Sequence, residues 1–227
     1  MSFKETGGAT DLREIDRYDH GVGWIAYPNE RMQRASHALE VDGKVWVVDP
    51  VDAEGLDHLL DDLGEVAGVV ILLDRHKRDA AAVARRHDVA VHVPSFMAGD
   101  VADDLDAPVE RFHRELDKTG FGAHTLVDNF AWKEAALYND ETGVLVVPES
   151  VGTGDYFLAG EERLGVHPML RLKPPRKLSR FDPERILVGH GEGIHEDATG
   201  ALETAIAGSR RRTPEMVLKT IRSVLPV

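Results

Sequence analysis

The sequence predicts an α/β fold, a four-layer αββα sandwich in which helices cover two β-rich halves. Three observations carry this. Asp42-Gly43 separates two apolar runs, and an amphipathic helical stretch follows them. Val69 to Pro94 reads as strand, charged loop, helix, strand. A further set of short apolar runs closes on Ile186 to Val188, beyond which only helical patterns remain.

The 227 residues suit one domain, taken as 21–227 behind an N-terminal polar segment, 1–20, whose first residues should fray. A hydrophobic content of 42% is enough for a core. The net charge of −13 argues against nucleic acid and anionic membranes as partners, because both carry phosphate. Arg outnumbers Lys 19 to 8, and Asp reaches 22, a balance that suits a solvated acidic surface of the kind used in high salt. There is no cysteine, so disulfides and thiolate metal sites are excluded. The first residues have no apolar core of a signal peptide, and no apolar run is long enough to span a bilayer. The expected location is the cytoplasm. The oligomeric state is open, and a homo-oligomer is compatible with the sequence.

Gly23 to Pro28 reads as a strand ended by proline. Asp-Gly between apolar runs is a hairpin signal, so Ala38–Val41 and Lys44–Val48 should pair. Leu56, Leu59, Leu60 and Leu63 have helical spacing within 52–63, and Gly64 ends that helix. Val69–Leu73 is a β-branched strand, 74–79 a dense polar loop, 80–86 an alanine-rich helix and Val89–Val93 a second strand. The acidic run 100–106 reads as a solvated loop, and 109–116 fits either strand or helix. Strands are expected at Thr125–Val127, Glu134–Tyr138 and Val144–Val147, with a turn over 139–143. The stretch 151–181 is long enough to suggest a functional loop, pinned by Tyr156 and Phe157. Asp182-Pro183-Glu184 has a helix-start pattern ahead of the strand Ile186–Val188. Asp197 can cap a helix running to about Gly208. Thr213 starts the last helix, with Met216, Leu218, Ile221 and Leu225 as its apolar positions.

These residues resemble the metallo-β-lactamase superfamily over roughly 35–207. Leu39 to Pro50, LEVDGKVWVVDP, resembles that family's opening hairpin, whose structural Asp is matched by Asp49. Leu187 to Gly191, LVGHG, resembles its last metal motif, with His190 as the final His. The central loop lies where the family has His-x-His-x-Asp-His. There Asp74 takes the first His position, His76 keeps the second, Arg78 takes the Asp position and Asp79 the last His position. VLVVPES makes Glu149 the counterpart of the metal-bridging Asp, and the middle His should fall near Asn129 or Phe130. Asp74, His76, Arg78, Asp79, Glu149 and His190 are therefore the cleft candidates. His76, Asp79, Glu149 and His190 are the candidate ligands, with Asp74 an alternative to Asp79.

The resemblance implies a hydrolase of esters, thioesters or phosphoesters that uses metal-bound water. The substitutions point elsewhere. Arg is permanently protonated and only donates, so Arg78 sets a positive charge where a carboxylate should face a cation. Two readings follow. In one, a divergent, non-hydrolytic protein has lost the dinuclear site; it takes no cofactor, its pocket binds a small molecule or its surface serves assembly, and Arg78 neutralises carboxylates in the former site. In the other, a hydrolase works with one divalent cation (Zn²⁺, Mn²⁺ or Fe²⁺) at a reduced site.

Arg75 and Lys77 read as solvated, and His195 as belonging to a helix cap. Of the remaining histidines, His37 and His167 stand out, one leading a strand and one within the long loop. Arg210-Arg211-Arg212 follow a helix end, where cations suit the dipole. Gly189, Gly191 and Gly193 imitate a dinucleotide-binding turn, but no further βαβ unit follows them.

Overall fold

The computed structural model describes residues 2–224, with side chains to residue 219. Asp42 and Gly43 both take positive φ, 52° and 77°, the conformation a two-residue hairpin turn requires. They join β3 (Ala35–Val41) to β4 (Lys44–Val48), which pair antiparallel. β3 also pairs with β2 (Gly21–Ile25), and β2 with β1 (Arg13–Tyr18). Part of the expected polar segment 1–20 is therefore an edge strand of the first sheet. Its Ile15 is buried against Ile25 and Ala35, a contact too sparse to show as a pattern in REIDRY.

From β4 onward the connections pass through helices, and the strands run parallel. The helix α1 (Leu56–Asp61) leads to β5 (Glu65–Val70), α2 (Ala80–Arg86) to β6 (Val91–Pro94), and α3 (Ala98–Ala102) to β7 (Val109–Phe112). The seven strands lie in sequence order. Parallel strands covered on both faces carry near-continuous apolar runs. Val45, Val47, Val69 and Ile71 pack against Leu56, Leu60, Ala80 and Val83 of the helices. Trp46, Val48, Val70 and Leu72 point the other way, onto a second sheet.

That second sheet contains β8 (Gly122–Asn129), β9 (Trp132–Asn139), β10 (Val144–Val147) and β13 (Arg185–Val188), in the order β13-β10-β9-β8. Ala135, Leu137, Val144, Val146 and Leu187 face the first sheet. Ala136, Leu145, Val147, Ile186 and Val188 face α4 (Ala198–Gly208) through Leu202, Ala205 and Ile206. The layers are helix, sheet, sheet, helix, as the sequence predicts.

Several local expectations change. The first helix begins at Leu56 rather than at 52, because Ala53 bridges to Ala9. The undecided stretch 109–116 opens as strand β7. Residues 182–184 form no helix and lead straight into β13. The acidic run starts inside α3, and its Asp100 and Asp104 pair with Lys133 and Lys77. The long stretch is folded: β11 (Val151–Gly152) pairs with β12 (Gly165–Val166), and 3-10 turns occupy Asp155–Phe157, Pro168–Leu170 and Arg176–Arg180. In α5 (Thr213–Val224) Met216 is buried but Leu218 is exposed; the Ile221 side chain and Leu225 lie outside the described residues. Among the described residues no helix is long and apolar enough to cross a membrane.

Candidate functional site

The carboxyl ends of four strands meet at one edge of the sandwich, where open α/β sheets keep their ligands. Asp49 ends β4 with φ 46°, a left-handed conformation that Asp tolerates better than most residues. Its Oδ1 accepts from Leu72 N at 3.0 Å and its Oδ2 faces His76 Nδ1 at 3.1 Å. The loop after β5 supplies His76, the end of β10 supplies Glu149 and the end of β13 supplies His190. Gly189 makes the last placement possible, since a Cβ there would meet Pro148 O at 2.1 Å.

The ring tautomers follow from their partners. His76 Nδ1 faces a carboxylate and His190 Nδ1 faces Met32 O at 3.0 Å, so both carry hydrogen at Nδ1. Both Nε2 atoms are then acceptors. His76 Nε2 lies 3.7 Å from Glu149 Oε2, and His190 Nε2 is buried with no hydrogen-bond partner. Ligand atoms of His76, Glu149 and His190 all lie within 4.8 Å of one another, and all three residues are buried. These are the groups that could hold a cation.

Arg78 reaches the same place. Its Nη1 donates to Ala35 O at 2.6 Å and Asp49 O at 2.8 Å. Its Nη2 donates to Gly189 O at 3.2 Å and to His76 Nε2 at 3.4 Å. It makes no hydrogen bond to a carboxylate, contrary to the expectation that it pairs with the carboxylates of the cleft. That pairing falls to Arg75, read as solvated, whose Nη2 meets Glu149 Oε2 at 3.2 Å while its guanidinium lies 4.3 Å from the centre of the Trp132 ring.

Asp74 and Asp79 stand apart from the group. Asp74 Oδ2 accepts from Lys133 N at 3.2 Å, and Asp79 Oδ2 accepts from Asp52 N at 2.9 Å. Both carboxylates are used to fix backbone. Asn129 and Phe130 form the tip of the β8–β9 hairpin, with Phe130 fully exposed, so neither reaches the site. His37 is buried beside Asp49 and Arg78, but its Nε2 is bonded to Val188 O at 2.9 Å rather than offered to the group. Lys77 pairs with Asp104 on the surface, and His195 with Asp16 at 2.9 Å.

His167 does join. Its Nδ1 accepts from Met169 N, which leaves Nε2–H toward Glu149 Oε1 at 3.5 Å. Glu134, unremarked in the sequence, anchors Glu149 from below. It accepts from Glu149 N at 2.9 Å, Ser150 N at 2.7 Å, Ser150 Oγ at 2.6 Å and Trp132 Nε1 at 2.9 Å. Tyr156 and Phe157 cover His190, each ring 5.7 Å from the imidazole.

Burial sets the electrostatics. It pushes His76 and His190 well below the ordinary imidazole range, and the neighbouring charge of Arg78 adds to the effect. His167 falls to about 4 by burial, then by Arg75. Burial raises Glu149 against the pull of Arg75, raises Asp49 to about 6 against Arg78, and raises Glu134 to about 7 against its Ser150 and Glu149 donors. Neutral imidazoles are the form that binds metal. The residues do not fit a dinuclear centre: among the described residues only one metal-capable group exists, and a guanidinium borders it.

No family model and no curated protein matches the sequence. Solved structures do match. The DIM-1 metallo-β-lactamase exposed to ceftazidime superposes with a TM-score of 0.66 at 12% identity, covering 92% of this chain and 99% of that one. A metallo-β-lactamase from Pontibacter korlensis gives 0.64 at 13% identity, covering 88% and 99%. VMB-1 gives 0.61 at 9% identity, covering 94% and 100%. At these identities the likeness is one of architecture, and it agrees with the layers and strand ends described above: the chain has the metallo-β-lactamase fold.

Proposed function

We propose that this chain is a non-hydrolytic protein of the metallo-β-lactamase fold, without a dinuclear metal site, that binds a small polar molecule. The observation that carries the reading is Arg78, whose guanidinium donates at 3.4 Å to the one nitrogen of His76 that could bind metal. A permanent positive charge there opposes a cation and leaves no bound water to activate. A cavity of about 280 Å³ lined by Glu30, Arg31, Gln33, Asp155 and Tyr156 adjoins the aromatic cover over His190, a size that suits a small ligand. The net charge of −13 supports such a partner over nucleic acid or an anionic membrane, and suits a salt-rich medium. The test is elemental analysis of protein purified without chelator. The reading expects no stoichiometric transition metal; one that is present and lost on His76→Ala would overturn it.

One observation favours a second reading, a hydrolase with a single cation. His190 Nε2 is a buried acceptor with no donor, as a metal ligand would be. His76, Glu149 and His190 would hold the cation, which would supply an activated water for an ester, thioester or phosphoester. Asp49 and Met32 O would keep the two imidazoles in their ligating tautomers. Metal-stimulated turnover of a chromogenic ester or phosphodiester, abolished by His190→Ala, would establish this reading and displace the first.

A further inference from the structure

We propose that Arg78 is the specificity-determining residue of this site: it alone excludes a divalent cation from a ligand set that is otherwise competent. The inference rests on the non-hydrolytic reading above. Three acceptors converge within 4.8 Å, and both imidazoles are already oriented from behind, His76 by Asp49 and His190 by Met32 O. Orientation of that kind is what a metal-binding histidine ordinarily needs. His190 Nε2 is left without any donor, so the protein has not rebuilt the cluster as a closed hydrogen-bond network. What stands against a cation is the Arg78 guanidinium, through its charge and its hydrogen bond to His76 Nε2.

Two guanidinium groups bond to the cluster, Arg75 at Glu149 and Arg78 at His76, and they differ in how they are held. The Arg75 side chain is 41% exposed and can swing into solvent. Arg78 is tied to three carbonyls, Ala35 O, Asp49 O and Gly189 O, that come from both sheets. It cannot withdraw without breaking all three. A cation on His76 Nε2 would therefore lie a few ångströms from a fixed like charge, a repulsion that costs orders of magnitude in affinity.

The test titrates Zn²⁺ into the full-length protein by calorimetry, with Co²⁺ absorbance as a second readout of ligation. Wild type, Arg78→Ala, Arg78→Lys and the double variant Arg78→Ala/His190→Ala are compared. Arg78→Ala should bind one equivalent at least about 100-fold more tightly than wild type or Arg78→Lys, with the repulsion removed. The double variant should lose that site. If wild type binds Zn²⁺ as tightly as Arg78→Ala, both this proposal and the non-hydrolytic reading fail. If Arg78→Ala is folded by near-ultraviolet circular dichroism and does not bind, this proposal alone fails. Should Arg78→Ala not fold, Arg78→Met, which keeps the apolar stem, is judged by the same criteria. If neither folds, Arg78 is a structural strut and the proposal is wrong.

Discussion

Two inward-facing arginines hold this molecule together in different ways. Arg171, completely buried, makes a two-pronged pair with Glu162, at 2.5 and 3.2 Å, and donates to Phe157 O at 2.5 Å. Arg212 adds a second cation to Glu162 at 3.3 Å. Charge is answered by charge, and the result ties the 151–181 segment to the start of α5. Arg78 donates to three carbonyls and stands beside a histidine, with no carboxylate bonded to it. Its charge is turned toward the cluster of His76, Glu149 and His190. The difference teaches that a guanidinium matched by a carboxylate acts as a staple. One held only by dipoles keeps its field available to whatever shares the cleft.

The largest effect should come from breaking the staple. Arg171→Ala leaves the buried Glu162 with Arg212 and Ala159 N as its remaining partners and should cost about 3 kcal/mol in urea denaturation. Replacing both partners, Arg171→Met with Glu162→Leu, should recover most of that loss, since two apolar groups need no partners. If the single variant costs under ~1 kcal/mol, the comparison fails on the Arg171 side. Arg78→Ala should cost less, about 2 kcal/mol, because it leaves neutral carbonyls unpaired rather than a buried carboxylate. Unlike the first loss, this one should be offset by Zn²⁺, by about 2.7 kcal/mol at a hundredfold excess over Kd.

A pH series sharpens the picture of the cleft itself. Burial holds His167 at about 4 in the folded protein against 6.5 in the unfolded chain. The folded value is the lower one, so its stabilising contribution is complete above pH 6.5 and is lost as pH falls toward 4. His167→Gln should remove up to about 1.4 kcal/mol per pH unit from the acid slope of stability. An unchanged slope would mean that His167 is solvated and does not share the cleft. The smallest effect is expected from Arg75→Ala. Its pair with Glu149 is partly exposed, so the change in stability should stay within about 1 kcal/mol.

Much of the architecture is legible in the sequence because it rests on local chemistry. Asp42-Gly43 names its own turn, and the alternation through Val45 to Val48 sorts the two faces of the first sheet. Asp49, His76, Glu149 and His190 are found through motifs that mark strand ends, and the fold brings those ends together. What the sequence hides depends on approach across distance. Asp74 and Asp79 look like cleft carboxylates until the backbone of Lys133 and Asp52 claims them. Arg75 looks solvated until Trp132 offers its face and Glu149 its oxygen. His167 sits in a segment without periodicity, and the pairing of Val151 with Val166, with the bond of His167 N to Ser150 O, carries it to Glu149. Glu134 alternates with apolar neighbours on β9 and gives no local sign of the four donors it collects.

The most direct measurement of the central claim is anomalous scattering from crystals of the wild-type protein grown with added Zn²⁺ or Mn²⁺. With Arg78 in place, no anomalous peak should arise between His76 Nε2, Glu149 and His190 Nε2. A strong peak coordinated by those three groups, with the Arg78 guanidinium displaced from Gly189 O, would contradict the account.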